Sequence, residues 1–293
     1  MLKVLITGAG GQLGQALARS SLAAACDCTF VGRSDLDIAD PDAVDRYFAG
    51  HAVDAVINCA AYTNVERAES EPDAAMRINA RAVGILAGAA HRAGAGLIHI
   101  STDFVFGGER QRSTPYTETD TPAPLNAYGR SKLAGEREAM RHGSAVILRT
   151  SWLYSPWGRN FFRTILDLAG SSEMLRVVDD QTGTPTYAPD LAETIAAAAD
   201  SRLWQTAPGI YHYSDEGACT WFDFAARIVG RTGPDTCRIE PCTSAQRPTA
   251  ALRPSYSVLD KSLIKRVAGI GIPRWEESLD RCLDYMARQT ETP

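Results

Sequence analysis

The feature that most constrains the fold lies at the start of the chain. An apolar run, Leu2-Lys3-Val4-Leu5-Ile6, breaks at Thr7-Gly8-Ala9-Gly10-Gly11-Gln12-Leu13-Gly14 and gives way to a helical pattern through Leu13, Leu17 and Leu22. Strand, glycine turn and helix therefore follow one another without a spacer. Gly8, Gly11 and Gly14 recur every third residue. Glycine permits the tight turn and lets backbone N–H groups approach a pyrophosphate at the positive end of the helix. The spacing alone says little; the strand before it and the helix after it make it informative.

The pattern repeats. Strands are predicted at Thr29–Gly32, Val53–Cys59, Leu97–Ser101 and Ala145–Thr150. Between them Pro41 opens one helix, as proline at the first helical position commonly does, and an Ala-rich helix runs from Pro72 to Ala93. Residues 107–125, rich in Gly, Thr and Pro, read as a loop, and a helix spans Leu125–Arg141. Such alternation predicts an α/β fold, a Rossmann-like doubly wound parallel sheet. After residue 150 it weakens. Ser155-Pro156-Trp157-Gly158 and Asp180–Pro185 are turn-rich, helices return at Pro189–Ala199, Trp221–Val229 and Trp275–Arg288, and 207–293 carries several Pro breaks. The expected organisation is a dinucleotide-binding domain over 1–150, residues 186–200 packing back on it, and a smaller C-terminal substrate-binding domain over 151–293. A length of 293 residues suits two domains.

Charge and cysteine usage remove several classes of function. With 30 basic against 35 acidic residues the net charge is −5, opposite in sign to the basic footprint of nucleic-acid binders. No apolar run approaches the ~20 residues needed to span a bilayer, and the short apolar start is unlike a secretory leader, so a cytoplasmic protein is expected. Seven scattered cysteines suit neither a disulfide framework nor zinc-site spacing, and the expectation is no metal. Only four of the basic residues are lysines. Each is a candidate for chemistry that a guanidinium cannot perform.

One of them, Lys132, completes Tyr128-Gly129-Arg130-Ser131-Lys132 on a predicted helix. Residues four apart share a helix face, so phenol and ammonium are expected side by side, the cation together with an oxidised nicotinamide lowering a phenol pKa of ~10. A tyrosine so tuned passes a proton to a carbonyl oxygen as hydride arrives from a nicotinamide. Ser101-Thr102-Asp103 ends the fourth strand, where ligands of open parallel sheets bind. Thr102 is expected to polarise the same carbonyl, with Asp103 as a substrate contact. After the second strand stands Gly32-Arg33-Ser34 in place of the acidic residue of an NAD site. A cation and a hydroxyl suit a 2′-phosphate, which favours NADPH with NADH as second choice. Asp37 and Ile38 are placed to flank the adenine, and Ala60-Ala61-Tyr62 follow the third strand at the edge where the cofactor passes.

These residues together resemble the extended short-chain dehydrogenase/reductase family, and within it the dTDP-4-dehydrorhamnose reductase branch. The resemblance rests on TGAGGQLG from Thr7, NCAAYTNVERAE from Asn58, STDFVFGG from Ser101, PLNAYGRSKLAGE from Pro124, RTSWLY from Arg149, GRNF from Gly158, VVDDQTGTPT from Val177 and RPSYSVLD from Arg253. It implies Tyr128 as proton donor, Lys132 as its partner and Thr102 as the catalytic hydroxyl. Gly11, Gln12 and Leu13 match the cofactor loop, with Asp37, Ile38, Ala60, Ala61 and Tyr62 beyond it. Thr102, Asp103 and Trp152 match sugar-nucleotide contacts, and Arg253 suits a pyrophosphate by its bidentate fork.

Two positions depart from many relatives: Glu66-Arg67 in place of an Asp-Lys pair, and Tyr256 in place of an Asn. Gln15 replaces an acidic residue that assists metal-linked dimers in some members. The implied reaction reduces the 4-keto group of dTDP-4-dehydro-β-L-rhamnose to dTDP-L-rhamnose, a precursor of surface polysaccharide such as lipopolysaccharide. The partner is then a small sugar nucleotide, with no nucleic acid or membrane, on a monomer or homodimer. The same motifs also resemble the non-catalytic regulatory subunit of methionine adenosyltransferase, and a sugar-nucleotide epimerase or dehydratase is the third alternative.

Overall fold

A computed structural model of the chain describes residues 1–109, 111–232 and 237–290; the expected 107–125 loop and the 151–293 domain each include residues outside these. Six parallel strands form the central sheet. Five are β1 (Lys3–Thr7), β2 (Asp27–Val31), β3 (Ala55–Asn58), β4 (Gly96–Thr102) and β5 (Ala145–Thr150). The sixth is Gly209–His212, and the order across the sheet is β2-β1-β3-β4-β5-sixth. From β1 the chain builds outward to β2, then crosses back to β3 on the other side. That reversal leaves a crevice at the carboxyl ends of β1 and β3.

The sheet is apolar on both faces because helices cover both. Val4 and Ile6 pack with Ala55, Ile57, Ile98, Val146 and Leu148 against Leu13, Leu17, Leu191 and Ile195. Leu5, Val56, Leu97 and Ile147 point the other way, onto Val44, Val83 and Leu86. The two-residue period of a strand thus sorts each side chain into one layer or the other. The helix Ala188–Asp200 packs on the first helix, Gln12–Leu17. A separate apolar cluster holds Tyr154, Phe162, Val177, Phe224, Trp275 and Leu279, beside the parallel pair Met174–Val178 and Arg238–Cys242.

Several elements differ from expectation. The sixth strand comes from residues expected on the substrate side; Gly209–His212 is too short for its periodicity to reveal it. A helix at Val65–Ser70, capped by the Asn64 side chain accepting from Arg67 N at 3.0 Å, was not expected. The Pro72–Ala93 helix contains a π turn over Arg77–Arg81. Asn79 in that turn is fully buried. Its Oδ1 accepts from Tyr62 N at 2.8 Å, and its Nδ2 donates to Tyr62 O at 3.0 Å and Ser131 Oγ at 2.9 Å. A buried amide needs such partners, and these fix the loop after β3 to the helix Ala127–Met140.

Gly96, at the start of β4, lies against the indole of Trp204, which is 3% exposed. A Cβ there collides with the ring. Gly96→Ala is expected to cost roughly 1–3 kcal/mol by overpacking, read as a lower denaturant midpoint at unchanged m-value, and to leave ligand affinities intact because Trp204 is remote from the cleft.

Candidate active site

One cleft of about 880 Å³ runs across the carboxyl edge of the sheet. The glycine turn forms one end. A Cβ on Gly8, whose φ is +71°, would lie 2.7 Å from Ala60 N, and one on Gly14 would lie 2.5 Å from Gly8 O. Both positions therefore demand glycine. Gly10 and Gly11 line the cleft beside them. The Gln12 side chain ties the turn to the opposite wall: its Oε1 accepts from Ser155 Oγ at 2.9 Å and Asn160 Nδ2 at 2.8 Å.

Expected residues gather in this cleft. Gly8, Gly11, Gln12, Leu13, Gly14, Arg33, Asp37, Ile38, Ala60, Ala61 and Tyr62 line it together with Thr102, Asp103, Tyr128, Lys132, Trp152 and Arg253. Ser34 does not; it is exposed and outside the wall formed by the described residues, because the turn Gly32–Asp35, closed by Gly32 N donating to Asp35 Oδ2 at 2.8 Å, carries it outward. Arg33 is 76% exposed and 3.9 Å from Asp37.

The helix Ala127–Met140 supplies Tyr128 and Lys132, and Asn126 caps it by accepting from Gly129 N at 2.8 Å. Lys132 is 2% exposed, and its ammonium donates to Ile100 O at 2.6 Å. Burial pulls its pKa down to about 8, against Glu136, whose charge works to hold the proton on. Glu136 is itself buried and accepts from Arg149 Nε at 2.8 Å and Nη2 at 2.7 Å, and from Ser101 Oγ at 2.5 Å. Arg149 is 2% exposed, stacked over Phe106 at 5.0 Å. Glu136 escaped the sequence reading, although its place four residues after Lys132 puts it on the same helix face.

The protein's own residues do not by themselves lower the Tyr128 phenol. Burial pushes its phenol up to about 12, with Asp103 adding to the rise and Thr102 opposing it. Lys132 spends its short hydrogen bond on Ile100 O and is not among the causes. The expected lowering counted the cation together with an oxidised nicotinamide; among the protein's own groups the cost of desolvating a phenolate is the larger effect. A phenol with a high pKa stays protonated at neutral pH, the form that donates.

Thr102 ends β4 and caps the 3₁₀ turn Asp103–Val105, accepting from Phe104 N at 3.2 Å and donating to Asp103 Oδ1 at 3.1 Å. Asp103 is 2% exposed, and its Oδ2 is buried with no hydrogen-bond partner among the described residues. Arg253 donates from Nη2 to Glu66 Oε1 at 2.8 Å, and Ala251 N donates to Glu66 Oε2 at 3.1 Å. Arg253 Nε is buried without a partner among the described residues. Glu66, the departure noted in the sequence, thus holds the Arg253 segment across the mouth. Tyr256 packs instead on the Val105–Leu259 cluster, away from the cleft.

Trp152 has φ +46°, a left-handed backbone that costs a non-glycine residue roughly 1–3 kcal/mol. Its indole stacks on Trp221 with centroids 3.6 Å apart and planes within 8°, and Phe161 buttresses Trp221 at 4.4 Å. Trp221 and Phe161 also line the cleft. Neither was singled out in the sequence; isolated aromatics there carry no periodic signal.

Comparison with known proteins agrees with this geometry. The profile described as "RmlD substrate binding domain" matches residues 2–288. The chain belongs to that family. It is 39% identical to a dTDP-4-dehydrorhamnose reductase of Burkholderia thailandensis, over 98% of this chain and 100% of that one. Its structure is similar to that of a dTDP-4-dehydrorhamnose reductase from Clostridium acetobutylicum, with TM-score 0.92, 38% identity and coverage of 98% and 100%. It is also similar to one from Bacillus anthracis in complex with NADP, with TM-score 0.90, 37% identity and coverage of 97% and 99%.

The buried Asp103 predicts a pH-dependent stability. Burial raises its carboxyl to about 7, above an unfolded value of ~3.9. The folded protein then binds this proton more tightly than the unfolded chain, so stability from the group is present at low pH and is lost as pH rises through about 7. Asp103→Asn removes the charge and keeps the shape. Its melting temperature is expected to exceed that of the wild type at pH 8.5, with the gap narrowing at pH 5.

Proposed function

We propose that this chain reduces the 4-keto group of dTDP-4-dehydro-β-L-rhamnose to dTDP-L-rhamnose with NADPH. The observation that carries the reading is the convergence of Tyr128, Lys132 and Thr102 on one cleft whose other half is the glycine turn. The family relationship supports the same reaction.

The cofactor fits the residues present: Gly8 and Gly14 keep the turn tight where a Cβ would collide with backbone, and the turn's Gly10 and Gly11 face the cleft. In the proposal Gly11, Gln12 and Leu13 hold the diphosphate, Asp37 and Ile38 flank the adenosine, and Ala60, Ala61 and Tyr62 line the path toward the nicotinamide. When bound, the cofactor supplies the hydride. Tyr128 donates the proton to the carbonyl oxygen. Thr102 turns its hydroxyl from Asp103 to the same oxygen, and the Lys132 ammonium stabilises the phenolate left behind. Asp103 and Trp152 orient the sugar, and Arg253 offers its buried Nε–H to the sugar nucleotide's diphosphate. The division of labour is between residues 1–150 with 186–200 on the cofactor side, and 151–293 on the substrate side. The proposal locates the reaction in the cytoplasm, on a monomer or homodimer.

The test is NADPH oxidation with the purified keto sugar nucleotide, the product identified as dTDP-L-rhamnose. Tyr128→Phe keeps the ring and removes the acid, so turnover is expected to fall roughly 100-fold or more with NADPH affinity retained. Undiminished turnover in a folded Tyr128→Phe protein removes Tyr128 as the donor. No turnover by the wild type, with both ligands bound, favours the regulatory-subunit reading instead.

Cofactor preference has its own test. A charge-assisted hydrogen bond is worth ~1.5–3 kcal/mol, roughly ten- to 150-fold in affinity. Arg33→Ala is expected to weaken NADPH binding by up to that factor and spare NADH. Its exposure makes the effect smaller at high salt.

A further inference from the structure

The Asp180-Gln181-Thr182-Gly183-Thr184-Pro185-Thr186 segment has no role in the chemistry above. Its Gly183 supplies one. A Cβ built there would lie 2.5 Å from Cε2 of Trp152, 2.6 Å from Cζ2 and 2.8 Å from Nε1. Cε2 sits between the other two atoms in the ring system. An approach along the ring edge would leave it the farthest of the three, so Gly183 lies against the face of the indole. Trp221 is stacked on a face too, with 3.6 Å between centroids. No atom fits between rings that close, and Gly183 therefore occupies the opposite face. Trp152 is clamped on both sides.

One ribbon builds both jaws. Thr182–Gly183 pairs antiparallel with Cys219–Thr220, with Gly183 opposite Cys219, and Trp221 follows directly as the first residue of its helix. The clamped segment is stitched to the same region, Ser151 Oγ donating to Thr184 O at 2.6 Å and Thr186 N to Trp152 O at 3.2 Å. Phe161 supports Trp221 at 4.4 Å.

We propose that Trp221 and Gly183 are positioning residues that sandwich Trp152, so that the sugar of the sugar nucleotide meets the edge of the indole and not its face. Both faces being occupied, Trp152 acts as a steric wall whose position sets which ring substituents fit. The clamp also accounts for the left-handed backbone at Trp152: the stack holds a conformation that a free tryptophan would leave. This inference rests on the reading of Trp152 as a sugar contact.

The experiment compares Trp152→Ala, Trp221→Ala, the double variant, Trp221→Phe and Gly183→Ala, each checked for a wild-type melting transition. Read-outs are KM for the keto sugar nucleotide, affinity for NADPH, and the coupled-indole band in far-ultraviolet circular dichroism. Trp221→Ala is expected to raise KM by about tenfold, the upper range for one aromatic pair. It should also abolish the coupled band and leave NADPH affinity unchanged.

Trp221→Phe keeps a stacking face and restores most of the affinity. Gly183 has an ordinary φ, so Gly183→Ala strains only the ring contact and should raise KM in the same direction. Because Trp221 acts through Trp152, the double variant should be no worse than Trp152→Ala. Additive losses would show that Trp221 touches the sugar itself and would overturn the clamp. So would an unchanged KM in Trp221→Ala beside a raised one in Trp152→Ala. If Trp152→Ala alone leaves KM unchanged, the underlying reading of Trp152 fails and the clamp falls with it.

Discussion

Six strands running the same way impose the constraint on which everything else depends. In a parallel sheet every strand delivers its carboxyl end to one edge, and each return must pass through a covering helix or loop. The glycine turn after β1, the Arg33 turn after β2, Ala60–Tyr62 after β3, Thr102 and Asp103 after β4, and Trp152 after β5 therefore meet along one line. No long-range signal is required to bring them together. Chain direction does it, and the crossover between β1 and β3 opens the space they share.

The same packing makes the chemistry expensive. Lys132, Glu136, Arg149 and Asp103 are all buried, and an isolated buried charge costs far more than any one contact returns. Glu136 and Arg149 share two charge-assisted hydrogen bonds. Losing one partner of such a pair costs roughly 3–5 kcal/mol because the other is left uncompensated. Glu136, held in that pair one helical turn from Lys132, opposes the lowering that burial imposes on the ammonium. Asp103 has no comparable partner, which is why burial raises its pKa. The protein tolerates this cost in the wall of the cleft.

Most strands and helices in the first half of the chain were legible because apolar runs alternate there with helical patterns between clear turn signals; the short helix Val65–Ser70 was not. Ala145–Thr150 matches the observed strand end to end. That Tyr128, Lys132 and Thr102 meet in one cleft was legible from spacing and from their position at a helix and a strand end. Residues that act across sequence were not. Glu66 reaches Arg253 over 187 positions, and Gln12 reaches Asn160 over 148; nothing local announces either contact. Gly183 and Trp221 are another such pair, joined by a two-residue ribbon too short to read. The desolvation at Tyr128 was not legible for a different reason: spacing shows which charges are near, but only the fold shows how much water is excluded.

The proposed role of Tyr128 requires that its phenol hold its proton until a substrate carbonyl takes it. The direct measurement is a pH titration of the free protein labelled with ¹³C at tyrosine Cζ, the Tyr128 resonance assigned by its loss in Tyr128→Phe. With its pKa pushed up to about 12, Tyr128 should show no phenolate shift through neutral and mildly alkaline pH, and should titrate later than an ordinary tyrosine at ~10. A midpoint near neutrality in the free protein would contradict the account.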